Sequence, residues 1–326
     1  MNELALAAFA AANDLHASVR ETRTRRFARF EAAFDRAAYL ADLATRGFRW
    51  VGRSAPGFPP LLAAIQDPPP GLFLRGDAGL ELLDQSAVAI VGARACSDYG
   101  SFVAQSFAEG LVAAGVVVVS GLARGVDASA HRGALAGGGA TVAVLGCGID
   151  RDYPRSHAGL AARIAETGLI VSEYPPGVMP APWRFPARNR IVAGLTAATV
   201  VVEARERSGA LITADLALEE GREVLAVPGE ITSSLSDGTN GLLRLGAIAV
   251  TSAADILEAI GVAPPERPRP ELPPAAAAVL VAIEAGATTA DEVVRATGLA
   301  AASAAAALTE LELAGVVRAQ AGVYRR

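Results

Sequence analysis

From residue 87 the chain repeats one pattern: a short apolar, β-branched run followed by an amphipathic stretch. The runs are AVAIVG (87–92), VVVVS (116–120), TVAVLG (141–146), LIVSE (169–173), TVVVE (199–203) and EVLAVPG (223–229). Continuous apolar runs, rather than alternating ones, mark strands covered on both faces, so they predict a parallel sheet. The stretches between and after them predict helices at 100–114, 127–136, 158–167, 188–195, 209–221 and 253–260. Strands alternating with helices predict an α/β fold, a doubly wound parallel sheet with helices on both faces.

The flanks read differently. Residues 3–45 are rich in Ala, Leu, Phe and Arg, with Phe27, Phe30 and Phe34 at helical spacing, and predict a short N-terminal helical region. Pro56, Pro59 and Pro60, then Pro68, Pro69 and Pro70, break that pattern into a turn-rich connector. Residues 263–274, APPERPRPELPP, hold six prolines and predict an extended spacer. Beyond it, residues 274–284, 291–299 and an Ala-rich stretch ending at 316 predict three helices. Gly298 marks a turn, Gly315 a helix stop, and 316–326 a hairpin, which together outline a winged helix. The expected domains are therefore 1–55, 56–262 with its lead-in, the linker 263–274, and 275–326.

Composition narrows the function. The longest uncharged run, 133–149, contains six glycines and falls short of a span of roughly 20 residues, so no membrane segment is expected. Asn2 and Glu3 do not resemble the basic flank of a secretory signal, which leaves the cytoplasm as the expected compartment. Cys96 and Cys147, with His16, His131 and His157, share no metal-ligand spacing, so neither a metal nor a cofactor is expected. All 29 basic residues are arginine, which excludes a Walker-type lysine. The net charge of −5 is unevenly spread: +2 over 1–80, −6 over 81–262 and −1 over 263–326. Arg20, Arg23, Arg25, Arg26 and Arg29 crowd one stretch, either a solvated helix face or a phosphate-contacting one.

In an open parallel sheet, ligands sit beyond the carboxyl ends of the strands. There this chain places Gly92-Ala93-Arg94, then Ser120 through Asp127 with Gly121 and Arg124, then Gly146 through Pro154 with Arg151 and Tyr153. The dinucleotide fingerprint fails, because the third glycine after Gly146 and Gly148 would be Arg151. Asp127 reads as a helix N-cap and His131 as a structural or surface histidine. Trp183 through Arg190 packs Arg184, Arg188 and Arg190 with two aromatics into eight residues, and no acid lies between Glu173 and Glu203. That stretch is either a loop with solvated arginines or a phosphate strip with a stacking platform for single-stranded nucleic acid. Ser208 and Gly209 open a further helix, whose free amides suit a second anion contact.

The segments VAIVGAR (88–94), SGLARGVDASAHRGAL (120–135), VLGCGIDRDYP (144–154), SEYPPG (172–177), FPARNRIVAGL (185–195), VVEARERSGALITA (201–214) and AVPG (226–229) resemble, in that order, the DprA/Smf family of bacterial DNA-processing proteins. The resemblance covers residues 56–262, and the C-terminal module resembles one that some members append. It implies an extended Rossmann-like core and a non-enzymatic homodimer. Such a protein would bind single-stranded DNA and help load RecA during natural transformation. The implied DNA contacts are Arg94, Ser120, Gly121, Arg124, Arg151, Tyr153, Arg188, Asn189 and Arg190. The chain departs from the family pattern in Ala95, in its short N-terminal helical region and in lacking lysine.

Two other classes compete. A Rossmann-like nucleotide hydrolase needs a P-G-G-x-G-T-x-x-E signature, and here Pro228-Gly229 runs into Glu230-Ile231. A ligand-sensing transcriptional regulator needs Arg, Asn or Gln on its recognition helix, and residues 300–308 read AAASAAAAL.

Overall fold

A computed structural model of the chain describes residues 2–16, 24–263, 272–314, 316–320 and 323–325. Arg20, Glu21, Arg23, most of the Pro-rich spacer and Gly315 lie outside the described residues. Two compact units appear, Met1–Pro265 and Glu266–Arg326.

The first unit opens with α1 (Glu3–Ala12), α2 (Arg25–Ala33), α3 (Arg36–Thr45), β1 (Arg49–Gly52), α4 (Pro60–Ala63) and β2 (Gly71–Arg75). It continues through β3 (Ala87–Val91), α5 (Asp98–Ala113), β4 (Val117–Ser120), α6 (Val126–Ala136), β5 (Thr141–Leu145), α7 (Ala158–Thr167) and β6 (Leu169–Ser172). It closes with α8 (Arg184–Gly194), β7 (Ala198–Val201), α9 (Gly209–Glu219), β8 (Glu223–Ala226), α10 (Asp237–Arg244), β9 (Ile248–Ala249) and α11 (Ala253–Ala259). The N-terminal helices do not stand apart as a 1–55 domain. Leu4 and Ala7 of α1 and Leu43 of α3 share a core with Phe73 of β2 and Leu145 of β5. Three separate helices replace one helical stretch because Thr24 and Asp35 each cap a new start.

The nine-stranded sheet runs β1-β2-β6-β5-β4-β3-β7-β8-β9. From β6 to β9 every pair is parallel. The lead-in adds an antiparallel edge, with Phe73 of β2 opposite Ser172 of β6. Side-chain alternation splits the core. Ala89, Val119, Val144 and Val201 face α8, α9 and α10, whereas Val88, Ile90, Val118 and Val200 face α5, α6 and α11. The winding direction changes between β3 and β7, so their carboxyl ends flank a crevice at the topological switch point.

The second unit holds α12 (Pro274–Glu284), α13 (Ala290–Thr297), α14 (Ala301–Leu313) and the hairpin β10 (Arg318–Gln320)–β11 (Val323–Arg325), the expected winged helix. Val279, Val293, Leu308 and Leu311 make its own core. Thr289 and Glu292 form a capping box that starts α13, and Gly298 ends it.

Helices α5 and α6 approach closely because Gly133 faces the backbone of Gln105. A Cβ on Gly133 would stand 2.7 Å from Gln105 Cα. Gly133→Ala should therefore destabilise the chain by about 1–3 kcal/mol despite alanine's better helix propensity. Gly159→Ala in α7, where nothing lies within 4 Å, should be neutral or stabilising by up to about 1 kcal/mol. Urea denaturation of the two variants checks the contrast.

Candidate functional site

The crevice is built from the loops that leave β3 and β7. They stay zipped for three residues, with Val202 N–H donating to Val91 carbonyl (3.1 Å) and Ala93 N–H to Glu203 carbonyl (2.7 Å), and then diverge. The Glu203 carboxylate turns away from the crevice to accept from Ser97 N–H (2.9 Å) and Ser97 Oγ (2.5 Å) at the start of α5. Between the loops lies a cavity of about 350 Å³ walled by Arg94, Phe185, Arg205, Arg207, Ser208 and Gly209. Its floor holds Gly121, Asp127 and Arg188. A second cavity shares Arg94, Gly121 and Phe185 with it and adds Arg124 and Tyr153. A third shares Arg124 and Tyr153 and reaches Arg151 and Arg155. The three make one groove along the carboxyl edge of β7, β3, β4 and β5.

Arg188 shapes the floor. The residue is 5% exposed and its Nη1 donates to the carbonyls of Gly121 (2.8 Å) and Val144. A Cβ on residue 121 would lie 2.5 Å from Arg188 Cζ, which explains the glycine there. Burial pushes the Arg188 pKa down, and Asp127 opposes that shift. Burial raises the Asp127 pKa, opposed by Arg188 and by the N–H groups of Ala123 and Gly121. Asp127 is not the N-cap, which is Gly125. Its Oδ2 instead accepts from Gly121 (3.1 Å) and Ala123 (3.3 Å). That grip, with His157 Nδ1 donating to Leu122 carbonyl (2.9 Å), holds Leu122 at φ 57°, a backbone region unfavourable for a branched residue.

His131 is structural and fully buried. Thr141 Oγ1 donates to Val118 carbonyl (2.5 Å) and so accepts from His131 Nδ1 (2.8 Å), and burial lowers the imidazole pKa to about 3. Among the described residues, no group of three or more His, Cys, Asp or Glu gathers where it could hold a metal ion.

The sequence-predicted residues divide into two sets. Arg94 and Arg124 are exposed in the groove. Arg94 Cζ lies 5.6 Å from the Phe185 ring centroid, and the ring of Tyr153, which is 42% exposed, has its centroid 5.3 Å from that of Phe185. Arg151 lines the far cavity and donates to Gly177 carbonyl (3.2 Å). Asn189 Nδ2 donates to Gly209 carbonyl (3.2 Å), and Ser208 caps α9.

Three expectations change. Ser120 is fully buried, with Oγ donating to Ile90 carbonyl (2.7 Å), and does not reach the groove. Arg188 contributes floor, not rim. Arg190 is buried against Glu173 in a two-pronged ion pair (3.0 and 2.7 Å) and also donates Nε to Asp67 (3.1 Å). Burial alone would lower the Arg190 pKa, but Glu173, Asp67 and Tyr174 together raise it. The reason is that α8 starts at Arg184, four residues before the expected 188, so the stretch read as either a loop or a phosphate strip is helix and turns Arg188 and Arg190 inward. Pro186 falls in its first turn, where a missing N–H costs no intrahelical bond.

Arg205 and Arg207, both exposed on the crevice wall, were not singled out from the sequence. The signal was present, since they follow the strand that flanks the switch point. Two acids of the third loop are occupied, since Asp150 lies 3.5 Å from Arg46 and Asp152 lies 2.5 Å from Arg75, whereas Glu206 is exposed between Arg205 and Arg207. Among the described residues, Arg94, Arg124, Arg155, Arg205 and Arg207 have no acidic partner within 4.0 Å.

Residues 49–261 match the model of the DNA recombination-mediator protein A family, and residues 263–323 match the DprA winged helix domain. The chain is 47% identical over 196 residues to the DNA processing protein DprA of Streptococcus pneumoniae, covering 60% of this chain and 68% of that one. It is 48% identical over 202 residues to protein Smf of Escherichia coli, covering 62% and 54%. The X-ray structure of the Streptococcus pneumoniae protein superposes with a TM-score of 0.66 at 39% identity, over 78% of this chain and 91% of that one. A Helicobacter pylori DNA processing protein A, whose structure addresses its single-stranded DNA binding mode, superposes with a TM-score of 0.59 at 32% identity, over 65% and 94%.

Because Arg190 is buried and paired while Arg207 is exposed, their alanine substitutions should part company. Arg190→Ala strands the Glu173 carboxylate and should cost about 3–5 kcal/mol, whereas Arg207→Ala should stay within about 0.5 kcal/mol of the parent. Chemical denaturation measures both.

Proposed function

This chain belongs to the DNA recombination-mediator protein A family, and from that premise we propose that it binds single-stranded DNA along the groove at the carboxyl edge of its sheet. The observation that carries the reading is the row Arg207, Arg205, Arg94, Arg124 with Phe185 and Tyr153 set among them. Guanidinium groups neutralise backbone phosphates, and the aromatic faces offer stacking to bases without demanding a sequence. A net negative chain binds an anion here because arginines outnumber acids along the groove, with Asp150 and Asp152 tied to other arginines and Glu203 to the amide of Ser97 at the start of α5. The Helicobacter pylori relative supports the same ligand.

The protein acts as a binder and not as an enzyme on this reading. The one acid on the groove floor, Asp127, is buried and committed to two backbone amides, and His131 is committed to Thr141. The family resemblance further supports a homodimer that helps load RecA onto incoming strands during natural transformation, in the cytoplasm. Among the described residues no helix is long and apolar enough to cross a membrane. The winged helix takes an auxiliary role, because the first two turns of α14 expose Ala301, Ala302, Ser303, Ala305 and Ala306 and offer little to base edges.

With about four phosphates neutralised by the four groove arginines, log affinity for a single strand should fall with log salt at a slope near −3. Fluorescence anisotropy across a salt series measures it. A salt-independent affinity, or equal binding of single- and double-stranded DNA, would overturn the reading.

A further inference from the structure

The three cavities of the groove are not equivalent. The one at the switch point is the end of the row, because its far wall is the start of α9, with Ser208 as N-cap and Gly209 and Ala210 as the first helical residues. Its charge also exceeds what a passing strand needs. Arg94, Arg205 and Arg207 stand on its wall without acidic partners among the described residues. Arg188 and Asp127 on the floor offset each other, and Glu206, exposed between Arg205 and Arg207, lowers the charge of that wall, which leaves the cavity of about 350 Å³ with roughly two to three net positive charges. A phosphodiester passing through brings only one negative charge.

A second observation is independent of the helix start. Arg188 is 95% removed from solvent, given its 5% exposure, and it lines both the switch-point cavity and its neighbour. Its Nε is enclosed by protein without a hydrogen-bond partner, as in Arg75, Arg151, Arg184 and Arg222, so the donor left for a ligand is Nη2. Nη1 alone is committed to protein carbonyls, and Nη2 donates to no described group. A buried guanidinium with unused donors at the floor of a cationic cavity is an unfilled requirement for an acceptor. The ligand that fits both the charge and the donor count is a phosphomonoester, with close to two negative charges and three terminal oxygens.

We propose that the switch-point cavity recognises the terminal phosphomonoester of a nucleotide, held by Arg94, Arg205, Arg207, the unused Nη2 of Arg188 and the Gly209 amide at the start of α9, the next two amides being taken by Ser208. The proposal rests on the reading that the groove holds single-stranded DNA, and it makes that binding end-selective. A phosphorylated strand end and a free mononucleotide carry the same chemistry and are separated in the test.

The test uses the full chain and one oligonucleotide sequence in four forms: 5′-phosphorylated, 3′-phosphorylated, hydroxyl at both ends, and circular. One phosphorylated form should bind about tenfold tighter than the hydroxyl-ended one, as expected for one additional charge-assisted contact. Capping that phosphate as its methyl ester should remove most of the gain. In Arg205→Gln/Arg207→Gln, with folding verified by thermal melting, the ratio of phosphorylated to hydroxyl-ended affinity should fall to about one. If deoxyadenosine 5′-monophosphate displaces the hydroxyl-ended strand but no strand end gains affinity, the site serves a free nucleotide and the end-selective form is overturned. Equal affinities for all linear forms, with no displacement by the mononucleotide, overturn the proposal while single-strand binding stands. Absence of all single-strand binding overturns the proposal and the reading beneath it.

Discussion

A guanidinium buried under the carboxyl ends of β4 and β5 holds the groove together. Arg188 reaches from α8 across the sheet edge to the carbonyls of Gly121 and Val144, and Asp127, gripping the amides of Gly121 and Ala123, supplies the opposing charge. The two are not in direct contact, yet each charge is buried and opposes the desolvation of the other, so removing one leaves the other with less compensation. The residue-121 loop, the left-handed turn at Leu122 and the start of α6 are all anchored to this pair. The rim arginine Arg124 projects from the loop that Arg188 and Asp127 keep in place.

The same division of labour explains how a chain of net charge −5 presents a cationic edge. Glu203 follows β7 directly and would face the crevice, yet it is drawn to the N-terminus of α5 by Ser97, where a helix dipole favours a carboxylate. Asp150 and Asp152 follow β5 and are met by Arg46 and Arg75 from the N-terminal segment and the lead-in. The segments that precede β3 therefore do more than extend the sheet, because they take the acids of the third loop out of play. Arg184 with Asp14 and Arg190 with Asp67 tie the other side of α8 to those same segments.

Much of this was legible in the sequence. The six core strands are placed to within three residues, because apolar β-branched runs bounded by glycine admit one reading when helices alternate with them. The short strands β1, β2 and β9 were not seen, since two to five residues carry too little periodicity beside prolines and glycines. For the site, the rule that ligands sit beyond strand ends located Arg94, Arg124, Arg151 and Tyr153. It did not foresee that Arg188 forms the groove floor and that Arg190 is buried away from it, because α8 begins at Arg184 rather than at the expected 188, so both arginines stand on buried positions of a helix already under way. Arg205 and Arg207 obeyed the rule, but the order of strands in space, which singles out β7 as a neighbour of the switch point, is not written in local pattern.

The central claim is that nucleic acid lies on this edge, with Phe185 and Tyr153 against the bases. Photo-crosslinking a 5-iodouracil-substituted single strand to the full chain, followed by mass spectrometry of the adducts, locates the contact directly. Adducts should concentrate on Tyr153 and Phe185, 5.3 Å apart by ring centroid. Adducts confined to the winged helix, or to Trp50 on the opposite flank of the sheet order, would contradict the account.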